Sequence, residues 1–117
     1  MSMPRDWKSV PESVWEAWRE VFDQAPSGLD VAGACPVCRV EALHRWFMLP
    51  RPFSPDEAFP GCKGRGGQWQ WCSSCYSFFH YSGLVPDWWE CNLLVDPDTL
   101  THDPEAIEVA RLARLSG

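Results

Sequence analysis

The first pattern along the chain is helical. Val10, Val14, Trp18, Val21, Phe22 and Ala25 recur three or four positions apart and so share one stripe. Glu12, Glu16, Glu20 and Asp23 fall largely off that stripe and are expected in solvent. Ser9-Val10-Pro11-Glu12 has the spacing of a capping box with proline in the first turn, and Pro26-Ser27-Gly28 is a stop signal. These positions predict a helix over residues 10–25. Trp15 lies off the centre of the stripe, which opens it to solvent or to packing on the rest of the domain.

The period then shortens. Residues 40–49 alternate loosely around Trp46 and Phe47, which predicts a strand. Residues 50–67 hold four prolines and then four glycines, the composition of a long irregular loop. Gln68-Trp69-Gln70-Trp71 alternates strictly and predicts a second strand. Residues 76–81 predict its return strand, ended by Gly83. Val85-Pro86-Asp87-Trp88-Trp89-Glu90 is aromatic and acidic with no clear period. Asp103 suits an N-cap and Pro104 a first turn, so a last helix is expected over residues 103–115, cap included. Glu105 and Glu108 near its start and Arg111 and Arg114 near its end complement the helix dipole. Ile107, Val109, Ala110, Leu112 and Leu115 nearly surround it, so it should dock on the body. The expected class is α+β: a small antiparallel sheet flanked by an N-terminal and a C-terminal helix, in one domain of 117 residues.

Cysteine spacing changes the picture most. Cys35-Pro36-Val37-Cys38 and Cys72-Ser73-Ser74-Cys75 are two Cys-x-x-Cys pairs with 33 residues between them. Two intervening residues let one tight turn aim both sulfurs at a point, and two such turns supply the four thiolates of tetrahedral Zn²⁺. In these residues the chain resembles the zinc-ribbon superfamily, in which two knuckles at the ends of β-hairpins clamp one zinc. The resemblance covers about residues 33–82 and implies a fold and one structural zinc at Cys35, Cys38, Cys72 and Cys75, not an activity. The gap exceeds the common span of ~15–20 residues, and the Pro/Gly-rich segment accounts for the surplus.

Residues 1–7 contain no apolar signal segment, and no stretch has the length of a membrane span, which implies a cytoplasmic protein with reduced cysteines. Three disulfides, a redox pair and haem attachment fit less well, the last because Arg39 and Tyr76 stand where a histidine is needed. Cys62 and Cys91 remain over. They are open to burial, to replacing a ligand or to a second site with a histidine, and His44 and His80 are candidates to approach each other across the sheet. Four cysteines leave a zinc no open position, so no catalysis is expected. Gly61-Cys62-Lys63-Gly64-Arg65-Gly66-Gly67 lacks the ending of a phosphate-binding loop and a helix behind it.

Charge and aromatic content bear on partners. Net charge is −6, divided as −3 over residues 1–30, +2 over 31–86 and −5 over 87–117. Acidic ends disfavour a phosphate backbone and favour a basic protein. Eight tryptophans suggest both a filled core and aromatic surface for a partner. A small acidic cytoplasmic domain of this kind is similar in general character to immunity proteins that neutralise secreted bacterial toxins, many of them basic enzymes. That likeness implies a protein-binding module, with Asp87, Trp88, Trp89 and Glu90 as a contact patch. Two other readings are open: nucleic-acid binding through Arg39, Arg45, Arg51, Lys63 and Arg65 beside Trp69, Trp71 and Tyr76, and a structural subunit of a larger assembly. No membrane or small-molecule partner is expected.

Overall fold

A computed structural model describes residues 6–24, 33–52, 61–86 and 93–116. The elements are β1 (Lys8–Ser9), a 3₁₀ turn at Glu12–Val14, α1 (Trp15–Gln24), β2 (Leu43–Pro52), β3 (Cys62–Cys72) and β4 (Ser77–Pro86). A second 3₁₀ turn at Pro97–Thr99 precedes α2 (Glu105–Ser116). The sheet order is β1-β4-β3-β2. β2, β3 and β4 form an antiparallel meander, and β1 adds to β4 in parallel. The class is α+β as expected, with a mixed rather than a purely antiparallel sheet. No helix among the described residues is long and apolar enough to cross a membrane.

The strict alternation of β3 assigns the two faces. Trp69 and Trp71 lie beside Trp46 and His44 of β2 and His80 and Phe78 of β4. Leu93, Val95, Leu100, Ile107 and Ala110 cover that face, so α2 lies over it. Gln68, Gln70 and Cys72 share the other face with Phe47, Arg45 and Leu43. There α1 packs through Trp18 and Phe22, with Val10, Val14 and Val21 beside them. Of the apolar stripe read from the sequence, Trp18, Val21 and Phe22 form the packed face of α1 with Val10 and Val14 just before it, Ala25 lies outside the described residues, and Glu12, Glu16, Glu20 and Asp23 are exposed.

Buried indoles require acceptors, and each described tryptophan has one. Trp18 donates to Gln70 Oε1 at 3.0 Å, Trp71 to Glu108 Oε1 at 3.1 Å, and Trp7 to Glu105 Oε1 at 2.8 Å. Trp46, Trp69 and Trp15 donate to the carbonyls of Leu93, Thr101 and Val10. The indoles therefore fasten both helices and the segment before α2 to the sheet.

Several boundaries differ from expectation. Ser9 does not cap a helix: it pairs with Phe78 in β1, and Val10 N–H donates to Phe78 O at 3.0 Å. Pro11 instead precedes the 3₁₀ turn, with no side-chain cap, and α1 begins at Trp15. The supposed loop over residues 50–67 is strand at both ends, since β2 runs to Pro52 and β3 starts at Cys62. β4 likewise passes through Gly83 to Pro86. Aromatic rings explain why glycine is accommodated there. A Cβ at Gly67 would lie 3.1 Å from Trp69 Cζ3, and one at Gly83 3.3 Å from Tyr81 Cε2. Each ring lies across the space of the missing side chain, so the glycines are part of the sheet's packing.

At the C-terminus, Asp103 Oδ1 accepts from Glu105 N–H at 3.0 Å, the N-cap role read from the sequence. Docking of α2 is one-sided. Pro104, Ile107 and Glu108 are buried, whereas Val109 and Leu115 are exposed. Glu105 and Glu108 stand in the first turn as expected, and Glu108 is also buried: at 1% exposure it accepts from Trp71 and is gripped by Arg111, whose Nη2 lies 3.0 Å from Oε2.

Candidate metal centre

The two Cys-x-x-Cys turns have the same local construction. In the first, Arg39 N–H donates to Cys35 O at 2.8 Å and Val37 N–H to Cys35 Sγ at 3.3 Å. In the second, Tyr76 N–H donates to Cys72 O at 3.0 Å and Ser74 N–H to Cys72 Sγ at 3.4 Å. Each turn ends in a left-handed residue, Arg39 at φ 70° and Tyr76 at φ 64°. The second turn is the β3–β4 connection. The first is closed by the Ala34–Glu41 bridge just before β2.

Both turns aim at one point. The four sulfurs of Cys35, Cys38, Cys72 and Cys75 lie within 4.8 Å of one another. Cys35 and Cys75 are 3.8 Å apart, and Cys38 and Cys72 are 3.6 Å apart. Sulfurs at 2.3 Å from a tetrahedral metal stand about 3.8 Å apart, so this set fits a single ion of that kind. The chemistry of four soft thiolates in this geometry matches zinc or iron. These four residues could therefore hold a metal ion.

The surroundings hold the turns in register. Ser73 N–H and Oγ both bond Ala42 O, at 2.9 and 3.3 Å. With its proton so used, Ser73 Oγ accepts from His44 Nε2 at 3.1 Å. Ser77 Oγ, buried at the start of β4, lies 3.3 Å from Cys75 Sγ, where its hydroxyl can donate to a thiolate. Cys35 and Cys72 are fully buried within the α1 cluster, and Cys38 and Cys75 are partly open.

That burial sets the thiol acidities. Burial pushes Cys35 and Cys72 up, against the lowering effect of backbone N–H groups in their own turns. Burial also opposes ionisation of Cys38, but the Val40 N–H and the neighbouring sulfurs bring it down to about 7. A bound cation would reverse the penalty on the buried pair, because a coordinating thiol is deprotonated.

Other candidate residues stand elsewhere. His44 and His80 do not meet, since β3 lies between their strands. His44 lies against Trp71, and His80 stacks on Trp69 at 4.1 Å with His102 beside it at 5.2 Å. Cys62 lies in β3 opposite Pro86, away from the cluster. Cys91 and the suggested patch of Asp87, Trp88, Trp89 and Glu90 lie outside the described residues. Of the basic and aromatic set, Arg45 is 2% exposed with Nη1 bonded to Phe22 O, and Trp69 and Trp71 are buried. Arg39 and Arg65 are exposed.

One feature escaped the sequence reading. A hollow of about 430 Å³ opens between α1 and β4, lined by Trp15, Trp18, Phe22, Phe79 and Tyr81, with Arg19, Asp23 and Gln70. Trp15 is 47% exposed there and packs edge-on against Phe79. Its position off the α1 stripe was the available signal. No protein-family model, no curated protein and no solved structure matches this chain.

Proposed function

We propose that the chain is a zinc-stabilised, non-catalytic protein-binding module for a basic partner, of the immunity type that neutralises a toxin or enzyme. The observation that carries the reading is the aromatic hollow beside α1, bordered by Arg19 and Asp23, in a chain that also exposes Glu12, Glu16 and Glu20 on this helix and the turn before it. Aromatic anchor sites bordered by polar and charged groups are what tight interfaces use, and the net acidity of the surrounding surface favours a basic partner. Zinc is the preferred metal because four thiolates saturate its tetrahedral shell and no redox role is required of it. With all four positions filled by protein, such an ion has no place for a substrate or activated water. The burial of Arg45, Trp69 and Trp71 takes three members from the set that would bind nucleic acid.

Co-purification tests this. The zinc-loaded chain should form a stoichiometric complex with a basic protein encoded beside it, weakening as salt rises. Failure to bind any neighbouring product at low salt would sink the reading.

A further inference from the structure

Among the described residues, the outer edge of β4 is covered over only part of its length. β1 pairs with Ser77 and Phe78, and Val10 makes the last bond, to Phe78 O. Pro11 then takes the chain away into the turn before α1. Beyond Phe78, β4 pairs only with β3 among the described residues. Since Tyr76 and Phe78 turn their carbonyls towards β1, strand alternation turns the main chain of His80, Ser82 and Leu84 the same way. The carbonyl of Leu84 is already taken by Gln68 Nε2 at 2.9 Å. Among the described residues, the N–H and C=O of His80 and Ser82 and the N–H of Leu84 are left facing outward.

Two hollows adjoin this edge. The aromatic one described above lies on the α1 side, where Phe79 and Tyr81 form its β4 wall. A smaller one, about 230 Å³, sits at the edge itself where β1 leaves it, reaching from Trp15 and Phe79 on the α1 side to Phe78, His80 and His102 on the other, with Ser9 and Val10 beside them. His80 Nδ1 is buried and has no hydrogen-bond partner among the described residues. An added strand places alternate side chains on opposite faces, so one hollow on the α1 side and one spanning the edge suit an extended segment.

We propose that an extended basic segment of a partner protein adds to the β4 edge at His80, Ser82 and Leu84, with apolar side chains seated in the adjoining hollows. This rests on the protein-binding reading above and names its surface. Charge identifies the occupant. The exposed side of α1 carries Glu16, Glu20 and Asp23 against Arg19, with Glu12 in the turn before it, and the chain as a whole carries −6, which repels a second copy and attracts a basic strand.

The test uses the full zinc-loaded chain, labelled for NMR, with acetylated heptapeptides alternating lysine and leucine. In the free protein the amides of His80, Ser82 and Leu84 should exchange quickly while those of Phe79 and Tyr81 are protected. The peptide should shift and protect the first group and move the Trp15 indole signal. Peptides with glutamate for lysine should bind more weakly. Ser82→Pro removes an outward donor without touching the β3 ladder, and should weaken binding by roughly tenfold, about one hydrogen bond. Asp23→Lys, a surface change, should weaken the lysine peptide and strengthen the glutamate one. Slow exchange at His80, Ser82 and Leu84 in the free protein would overturn the proposal, as the chain itself would then cover the edge. A dimer broken by Ser82→Pro would also overturn it, in favour of a second copy. Peptide or partner shifts confined to another surface would remove the edge but leave the module standing. Absence of binding by both the peptides and every neighbouring product would remove both.

Discussion

Arg39 and Tyr76 occupy equivalent places, each following the second cysteine of its turn and each in the left-handed region, at φ 70° and 64°. An L-residue pays about 1–2 kcal/mol for that conformation relative to glycine's ease with it. Arg39 is exposed, so Arg39→Gly should raise stability by about 0.5–1 kcal/mol, the part left after glycine's extra unfolded-state entropy. Tyr76→Gly should show no such gain, because the Tyr76 ring packs edge-on against Trp7 at 5.3 Å. Denaturant melts of the metal-loaded variants check both.

Metal removal should disturb more than the two turns. Cys35 and Cys72 share one buried cluster with Val10, Trp18 and Phe22, so the floor under α1 includes two of the four cysteines that could hold the metal. Structural zinc contributes on the order of 10 kcal/mol to folding. Chelation should therefore release α1 together with residues 33–82, read as loss of helical signal and of the Trp18 near-ultraviolet band. Elemental analysis should give one zinc per chain, without the visible absorption of an iron–thiolate centre. Cys72→Ser should be more damaging than Cys38→Ser, since the Cys72 sulfur also accepts the Ser74 and Cys75 N–H groups.

Gly67 separates what was legible in the sequence from what was not. Gly67→Ala should cost about 1–3 kcal/mol, because its Cβ would lie 3.1 Å from the Trp69 ring; a thermal melt measures it. Local composition reads a run of prolines and glycines as loop, and only the Trp69 ring two positions on makes Gly67 a strand residue. The four clustered cysteines needed no such long-range information. Their spacing alone aims the sulfurs, as does the stripe from Val10 to Phe22 for the face of α1. The Asp103 cap is legible for the same reason, since its partner is two residues away. The β1 pairing, which displaces the cap expected at Ser9, joins residues far apart in sequence and has no local signature. The hollow beside Trp15 exists only once β4 lies alongside α1, and its one local signal is the place of Trp15 off the stripe.

Glu108 and Arg111 test how a buried charge is held. Pro104, Ile107, Glu108 and Arg111 fall three or four positions apart on the docked side of α2, so the acidic residue faces Trp71. Glu108→Ala should destabilise by about 3–5 kcal/mol, since it strands the Arg111 guanidinium and leaves the Trp71 N–H unbonded. Replacing both residues with leucine should cost less than the two single losses together, because no unpaired charge remains. A double-mutant cycle from urea titrations gives that coupling directly.

His80 supplies a pH dependence with a definite sign. Burial, and then the neighbouring His102, hold its pKa below the ordinary imidazole value. The unfolded chain therefore takes up a proton at His80 at a higher pH than the folded one. The stability due to this group is present in full above the unfolded value of about 6.5 and declines as pH falls through that value towards the folded one. Other groups, the metal ligands above all, also respond to acid, so the informative quantity is the difference between wild type and His80→Gln at each pH. Wild type should lose ground relative to His80→Gln between pH about 7 and 5, since only wild type carries the imidazole that resists protonation in the fold. A difference independent of pH would show that His80 titrates alike in both states, and that its contact with His102 carries no electrostatic cost.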